Sequence, residues 1–339
     1  MSNLYLDNGY LNCDYVLSYK LPITIIIGGR GTGKTFGMLD WCISHDQQII
    51  FMRRTQNQVD LINKPEFSPI NPVAIYRGLR ATTKPISKYN SGIYLGDPEQ
   101  EEPRVLGFTA ALSTFSNLRG FDASGVEMLI YDEFIPEKHE RPIKGEGDAF
   151  LNVYETVNRN RELQGRPPLR AVLLSNANRL DSPILAALDL VKVVNRMTKK
   201  NQQEYINTQS GIGVFLLMDS PISAKKENTQ IYKITAGSNF AKMSLSNAFA
   251  YDDLSDVRSM PLAGWTLQAQ LGDFFIYKKD RHWYISSHCS GSPKTVYQNT
   301  EIDLRKFVRD NPSCYARILN HKIFYESFEA KSFLTNLYI

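Results

Sequence analysis

Short apolar runs and amphipathic stretches take turns along the first two-thirds of the chain. Ile23-Thr24-Ile25-Ile26-Ile27, Gln48-Ile49-Ile50-Phe51-Met52, Val105–Leu112, Met128-Leu129-Ile130-Tyr131 and Leu169–Leu174 are brief and rich in β-branched residues, so each reads as a buried strand. Between them, Phe36–Ile43, Gln56–Ile62, Asp148–Leu163 and Ser182–Leu188 read as helices, the last capped by Asp181 or Ser182. This alternation predicts an α/β fold on a mainly parallel sheet with helices on both faces. Residues 65–104, rich in Pro, Gly and charge, predict a small antiparallel excursion with strands at Ala74-Ile75-Tyr76 and Gly92–Leu95.

From about residue 197 the texture changes. Asn, Gln, Ser and Lys dominate 199–211 and 222–230 around one apolar strand, Val214–Met218, so 197–250 reads as a linker with little core of its own. A second unit follows over 251–339. It has a β-meander (Trp265–Leu271, Phe274–Tyr277, Trp283–Ile285) and helices at Asp303–Arg309 and about 320–337. The expected organisation is 1–196, 197–250 and 251–339.

A hydrophobic content of 42% supports a sizeable core. No apolar stretch approaches the ~20 residues a bilayer span needs, which argues against a membrane role. Met1–Tyr10 lacks the apolar segment of a secretory signal. Cys13, Cys42, Cys289 and Cys314 lie far apart and read as reduced thiols in a cytosolic protein. The net charge of +4 is unevenly spread: residues 1–196 carry 22 basic and 22 acidic residues, 197–250 carry six against three, and 251–339 carry eleven against ten. The excess, around Lys199-Lys200 and Lys225-Lys226, suits a phosphate backbone or a solvated linker.

The chemistry enters at Gly28-Gly29-Arg30-Gly31-Thr32-Gly33-Lys34-Thr35, which follows the first strand and precedes the first helix. It satisfies the phosphate-loop pattern G-x-x-x-x-G-K-[ST] in its proper context. Glycines let the backbone fold into a nest of N–H groups, and the helix N-terminus adds its dipole. Lys34 is expected to neutralise the β/γ-phosphates, and the Thr35 hydroxyl to ligate magnesium. Arg30 has no role that loop geometry dictates, and stands as a phosphate or neighbour contact. Nucleoside triphosphate binding follows.

Hydrolysis further needs a metal-holding carboxylate and a base. The strand at 128–131 ends in Asp132-Glu133, at the edge where ligands of open α/β sheets bind. Asp132 is the expected magnesium acid and Glu133 the general base. Ser175-Asn176, at the tip of the 169–174 strand, are placed to sense the γ-phosphate, or else to cap a turn. Arg159 and Arg161 are candidates for an arginine finger acting on a neighbour's nucleotide, or for helix-dipole partners. A GTPase would want Asn-Lys-x-Asp after the acidic strand. Asn63-Lys64-Pro65-Glu66 comes early and ends in Glu, so a P-loop switch or small-molecule kinase is the weaker alternative.

Taken together, the phosphate loop, Phe51-Met52-Arg53-Arg54, Ile130-Tyr131-Asp132-Glu133-Phe134, Val157–Glu162, Leu174-Ser175-Asn176-Ala177 and, more weakly, Met243-Ser244-Leu245-Ser246-Asn247 resemble the φ29-like phage DNA-packaging ATPases, relatives of terminase large subunits. The resemblance implies a P-loop NTPase of the additional-strand (ASCE), RecA/terminase-like class and a smaller α+β, RNase H-like C-terminal domain. It implies ATP and Mg2+ as cofactors. It also implies a homo-oligomeric, pentameric ring on the portal (connector) of a preformed capsid, with double-stranded DNA and a structural packaging RNA as partners. The location would be the host cytoplasm, transiently at the portal vertex, and not the mature virion. By the same carry-over Arg159 is the favoured finger. The acids Asp273, Asp280, Glu301, Asp303 and Asp310 fall in turns or helix starts, so the C-terminal domain is expected to be nuclease-like and inactive. A terminase with a live nuclease is the alternative.

Overall fold

The computed structural model describes residues 3–96, 102–118, 122–137, 140, 143–176, 182–236, 238 and 256–338. The chain divides into two compact units, Met1–Tyr251 and Asp252–Ile339. In the first, the described strands are β1 (Ile23–Gly28), β2 (Ile49–Arg53), β3 (Arg80–Pro85), β4 (Ser91–Gly96), β5 (Arg104–Ala111), β6 (Met128–Asp132), β7 (Arg170–Ser175), β8 (Glu204–Asn207) and β9 (Ile212–Leu217). They make one nine-stranded sheet in the order β3-β4-β5-β2-β6-β7-β1-β9-β8. The six central strands, β5 to β9 in that order, are parallel, and antiparallel strands finish both edges. β1 and β6 are buried along their whole length, as strands covered on both faces must be.

One feature of the order matters for chemistry. β7 lies between the phosphate-loop strand β1 and the acid-bearing strand β6, in register Ile26↔Leu174↔Asp132. The acid therefore ends at the level where β1 turns into the loop, one strand away.

The linker expected over 197–250 is not what forms. β8 and β9 belong to the sheet, β9 pairs with β1 from Ile23↔Ile212 to Gly28↔Leu217, and the first unit runs on to Tyr251. Leu217 occupies the space a Cβ on Gly28 would need, 2.7 Å away, so the loop's first glycine is also a packing glycine. Composition hid this because a six-residue strand was averaged with polar flanks. Residues 74–76 likewise lie in the helix Ile70–Tyr76, and the antiparallel partner of β4 is β3. Ser182, not Asp181, can be seen capping: its side chain accepts from the Leu185 amide, while Asp181 lies outside the described residues. Ala177 and the 243–247 motif are outside them too.

The second unit has its own sheet. β10 (Thr266–Leu271), β11 (Phe274–Lys279) and β12 (His282–Ser286) form the expected meander, with β13 (Thr295–Tyr297) parallel to β10 and β14 (Ile323–Tyr325) parallel to β12. The helix expected over about 320–337 is thus interrupted: Ile323-Phe324-Tyr325 pairs as a strand, and the helix starts afresh at Phe328 behind its Ser327 cap. Aromatic and β-branched residues gain more from a cross-strand partner than from a helix. The helices Glu301–Asp310, Cys314–Leu319 and Phe328–Asn336 complete the unit, and Leu271, Ile276, Ile285, Phe307, Tyr325 and Leu334 centre its core.

Candidate nucleotide-binding site

β1 delivers the loop and the helix Lys34–Ser44 receives it. Gly31 and Gly33 take φ of +66° and +85°, backbone that a side chain would strain, and Gly33 is the helix N-cap. Lys34 is buried, and its Nζ donates to the carbonyls of Gly28 (2.9 Å) and Gly29 (2.8 Å) and to Asn176 Oδ1 (3.2 Å). Burial lowers its pKa to about 7, against the opposing pull of Asp132 and with a further push from Lys226. Thr32 Oγ1 closes the loop on Gly29 O at 3.0 Å.

Across β7, Asp132 accepts a hydrogen bond from Thr35 Oγ1 at 3.0 Å. A hydroxyl and a carboxylate side by side are the hard oxygen donors magnesium prefers, so these residues fit that ion. Burial raises the Asp132 pKa, opposed chiefly by Arg53. That arginine, at the end of β2, bonds Asp132 Oδ2 at 2.8 Å and also pairs with Glu133. Glu133 itself has a positive φ of 58°, so its backbone leaves the strand abruptly and its side chain stays half-exposed over the cavity. A bulky residue in that conformation is strained.

The enclosing cavity measures about 400 Å³ and is lined by Arg30, Gly31, Gly33, Lys34, Thr35, Asp132, Glu133, Ser175 and Asn176, with Phe36 and Glu137. The expected site residues all line this cavity except Gly28, Gly29, Thr32 and Arg159. Gly28 lies behind, in the sheet, though with Gly29 it supplies carbonyls to Lys34. Arg159 lies elsewhere. Asn176 meets Lys34, and Ser175 Oγ accepts from the Ile135 amide at 3.4 Å, tying down the segment after Glu133. Arg30 turns outward to Glu137 at 2.6 Å.

The two finger candidates part company. Arg161 is buried and donates to the Ala123, Ser124 and Val126 carbonyls, a structural task. Arg159 is exposed, C-caps the helix Glu146–Asn158 and has φ 45°, ψ −131°, a region suited to glycine. Asp122, held below the usual carboxylate range first by the Ser124 amide, also feels Arg159. The opposite end of that helix is anchored by Arg54: its Nε and Nη2 reach the Glu146 carboxylate at 2.7 and 2.9 Å, both side chains almost wholly buried. Arg53 closes β2 and Arg54 is the first residue past it, where the chain bends away. Arg53 thus serves the nucleotide cavity while Arg54 holds the helix that carries Arg159.

Three groups escaped sequence reasoning. Arg53 was visible only as part of a motif, because its role depends on β2 lying beside β6. A second cavity of about 550 Å³, beside Gly31 and Gly33, is lined by Leu6, Asn8, Tyr10, Phe36, Asp40 and Tyr76. Tyr10 packs against Gly33, with Cδ1 2.9 Å from a notional Cβ. No local pattern marks these aromatics. Third, Lys226, expected to face solvent or a phosphate backbone, donates instead to the Arg30 carbonyl.

In the second unit, Asp273 and Asp280 sit in turns at opposite ends of β11. Glu301 pairs with Arg305, Asp303 accepts from the Gln298 amide, and Asp310 pairs with Arg309. Among the described residues of the chain, no group of three His, Cys, Asp or Glu is placed to hold a metal ion, and no helix is long and apolar enough to cross a membrane.

Comparison with known proteins finds phage DNA-packaging proteins similar to this chain. The sequence profile of the family described as Podovirus DNA encapsidation protein (Gp16) matches residues 95–306. The DNA packaging protein of Bacillus phage phi29 is 24% identical over 322 residues, covering 88% of this chain and 84% of its own length. The chain is similar in fold to the bacteriophage Phi-29 viral genome packaging motor assembly, with a TM-score of 0.64, 19% identity and coverage of 97% and 98%. It is also similar to the Phi-28 gp11 DNA packaging motor, with a TM-score of 0.63, 16% identity and 95% of each chain covered.

Proposed function

This chain belongs to the Podovirus DNA encapsidation protein family, and from that membership and the geometry above we propose that it is the ATP-hydrolysing subunit of a phage DNA-packaging motor. The observation that carries the reading is the 3.0 Å bond between Thr35 and Asp132, which sets the phosphate loop and the acidic strand tip around one cavity. A loop that merely bound phosphate would need no acid pair facing it.

The residues divide the work as follows. Loop amides and Lys34 bind the β- and γ-phosphates, and the aromatic cavity beside Gly33 takes the base. Thr35 and Asp132 would hold magnesium, which when bound supplies positive charge to the transferring phosphoryl group. Glu133 orients and deprotonates water. It does so only with its carboxylate released from Arg53, since an ion-paired carboxylate is a weak proton acceptor. Asn176, on Lys34, registers the terminal phosphate. Arg159, exposed at a helix end, reaches a neighbouring subunit's nucleotide and stabilises developing charge.

That last role requires a ring. We take the ring to be a pentamer seated on the portal of an empty capsid, threading double-stranded DNA inward in the host cytoplasm, with a structural RNA as a further partner. The second unit, for which we keep the RNase H-like expectation, does not cut DNA in this reading. Asp273 and Asp280 are separated by the length of a six-residue strand, about 20 Å, and the helix acids are occupied by local bonds. Two-metal cleavage needs carboxylates that converge.

The test is Glu133→Gln. It should bind a fluorescent ATP analogue as the unaltered chain does while DNA-stimulated phosphate release falls by about a thousandfold. Unchanged turnover would remove Glu133 as the base, and with it the assignment of this cavity as the hydrolytic site.

A further inference from the structure

The helix Pro221–Lys226 follows β9 and is fastened beside the loop rather than left in solvent. Ser220, buried, donates from Oγ to the Gly9 carbonyl at 3.0 Å, and Gly9 (φ +90°) lets the Ile222 amide approach to within 2.9 Å of where its Cβ would be. The N-terminal segment so gripped lies on the loop itself, with the Leu11 amide donating to Thr32 O at 3.0 Å. Two successive hydrogen bonds, one from the Ser220 side chain and one between backbones, therefore fix the helix relative to the phosphate nest. At its last turn, Lys225 faces solvent and Lys226 turns inward, its Nζ on the Arg30 carbonyl and in the space a side chain at Gly31 would fill.

Three cations now surround one loop. Arg30 is matched by Glu137, whereas Lys34 and Lys226 both spend hydrogen bonds on loop carbonyls. Burial also lowers the pKa of Lys226. Like charges converging in a half-buried setting destabilise one another unless an anion joins them. A carbonyl is a weak partner for an ammonium; a phosphate oxygen is a strong one.

Resting on the nucleotide-site reading, we propose that Lys226 is a second polyphosphate-binding lysine of this site, acting in cis, so that a bound triphosphate pins the segment 221–236 to the loop and its loss lets the segment go. The positive charge near 225–226 is then partly a nucleotide contact, and not wholly one for nucleic acid.

The experiment compares the full chain with Lys226→Met, Lys226→Arg and Lys225→Met. A non-hydrolysable fluorescent ATP analogue with magnesium measures affinity, and trypsin cleavage at the exposed Lys233 measures pinning. Lys226→Met should weaken the analogue about tenfold or more, the loss expected of one charge-assisted bond. It should also abolish analogue-dependent protection at Lys233. Lys226→Arg should recover most of both, and Lys225→Met should match the unaltered chain. Lys226→Met binding and protection equal to the unaltered chain overturn the proposal. So does a lowered melting temperature of ligand-free Lys226→Met, which would assign the residue to packing. If the unaltered chain fails to bind the analogue, it is the nucleotide-site reading that falls.

Discussion

Nucleotide binding here should take up a proton, and the amount can be worked out from Lys34. Burial holds its pKa at about 7 in the ligand-free chain, against an ordinary 10.5. At pH 8 such a group is protonated in about a tenth of molecules, and at pH 6 in about nine-tenths. Polyphosphate oxygens beside it favour the ammonium and refill the site. Binding is therefore expected to take up about 0.9 proton per nucleotide at pH 8 but only about 0.1 at pH 6. Calorimetric titration with Mg-ADP, in paired buffers of equal pH and different ionisation enthalpy, reads that number directly. The diphosphate is fully ionised at pH 8, so the proton belongs to the protein. Lys226, also lowered by burial, adds with the same sign, and Lys226→Met subtracts its share. No uptake at pH 8, or equal uptake at both pH values, refutes the reasoning. The stability sign follows from the same shift. A lysine whose folded pKa lies below its unfolded one penalises the fold while charged. The penalty is full below about pH 7 and lifts as pH rises toward 10.5, so the ligand-free protein should gain stability across that window.

Two further outcomes test the scaffold. Arg54→Met should cost about 3–5 kcal/mol, because it strands the buried Glu146 carboxylate, while Arg54→Met/Glu146→Leu should cost much less than the two single changes added together. Urea unfolding followed by Trp41 in a Trp265→Phe/Trp283→Phe background reports the first unit alone; additive costs would show that the pair does not act as a unit. Arg159→Gly should hold or raise stability by about 1 kcal/mol, since glycine accepts that backbone. Yet it should lower hydrolysis by about a thousandfold, with recovery when a neighbouring subunit supplies the arginine in mixed rings. Failure of that recovery would return Arg159 to a purely structural place.

The chain's local chemistry settled a good deal. An apolar run, a glycine-rich nest, a lysine and a hydroxyl in fixed order read as a phosphate loop, and an apolar strand ending in two acids reads as its partner, because each signal is carried by neighbours in sequence. The meander in the second unit and the parallel α/β character of the first were legible for the same reason: periodicity is local. What needed the folded chain was everything that depends on which strand lies beside which. β7 between β1 and β6 decides that Asp132 reaches Thr35; β2 beside β6 brings Arg53 onto both acids; β9 beside β1 turns an apparent linker into core and lands Lys226 on the loop. Burial separates Arg161 from Arg159, although the two are spelled alike within three residues. Strand order is a long-range outcome of the whole core's packing. No window of sequence holds it, and the electrostatics of this site are built from it.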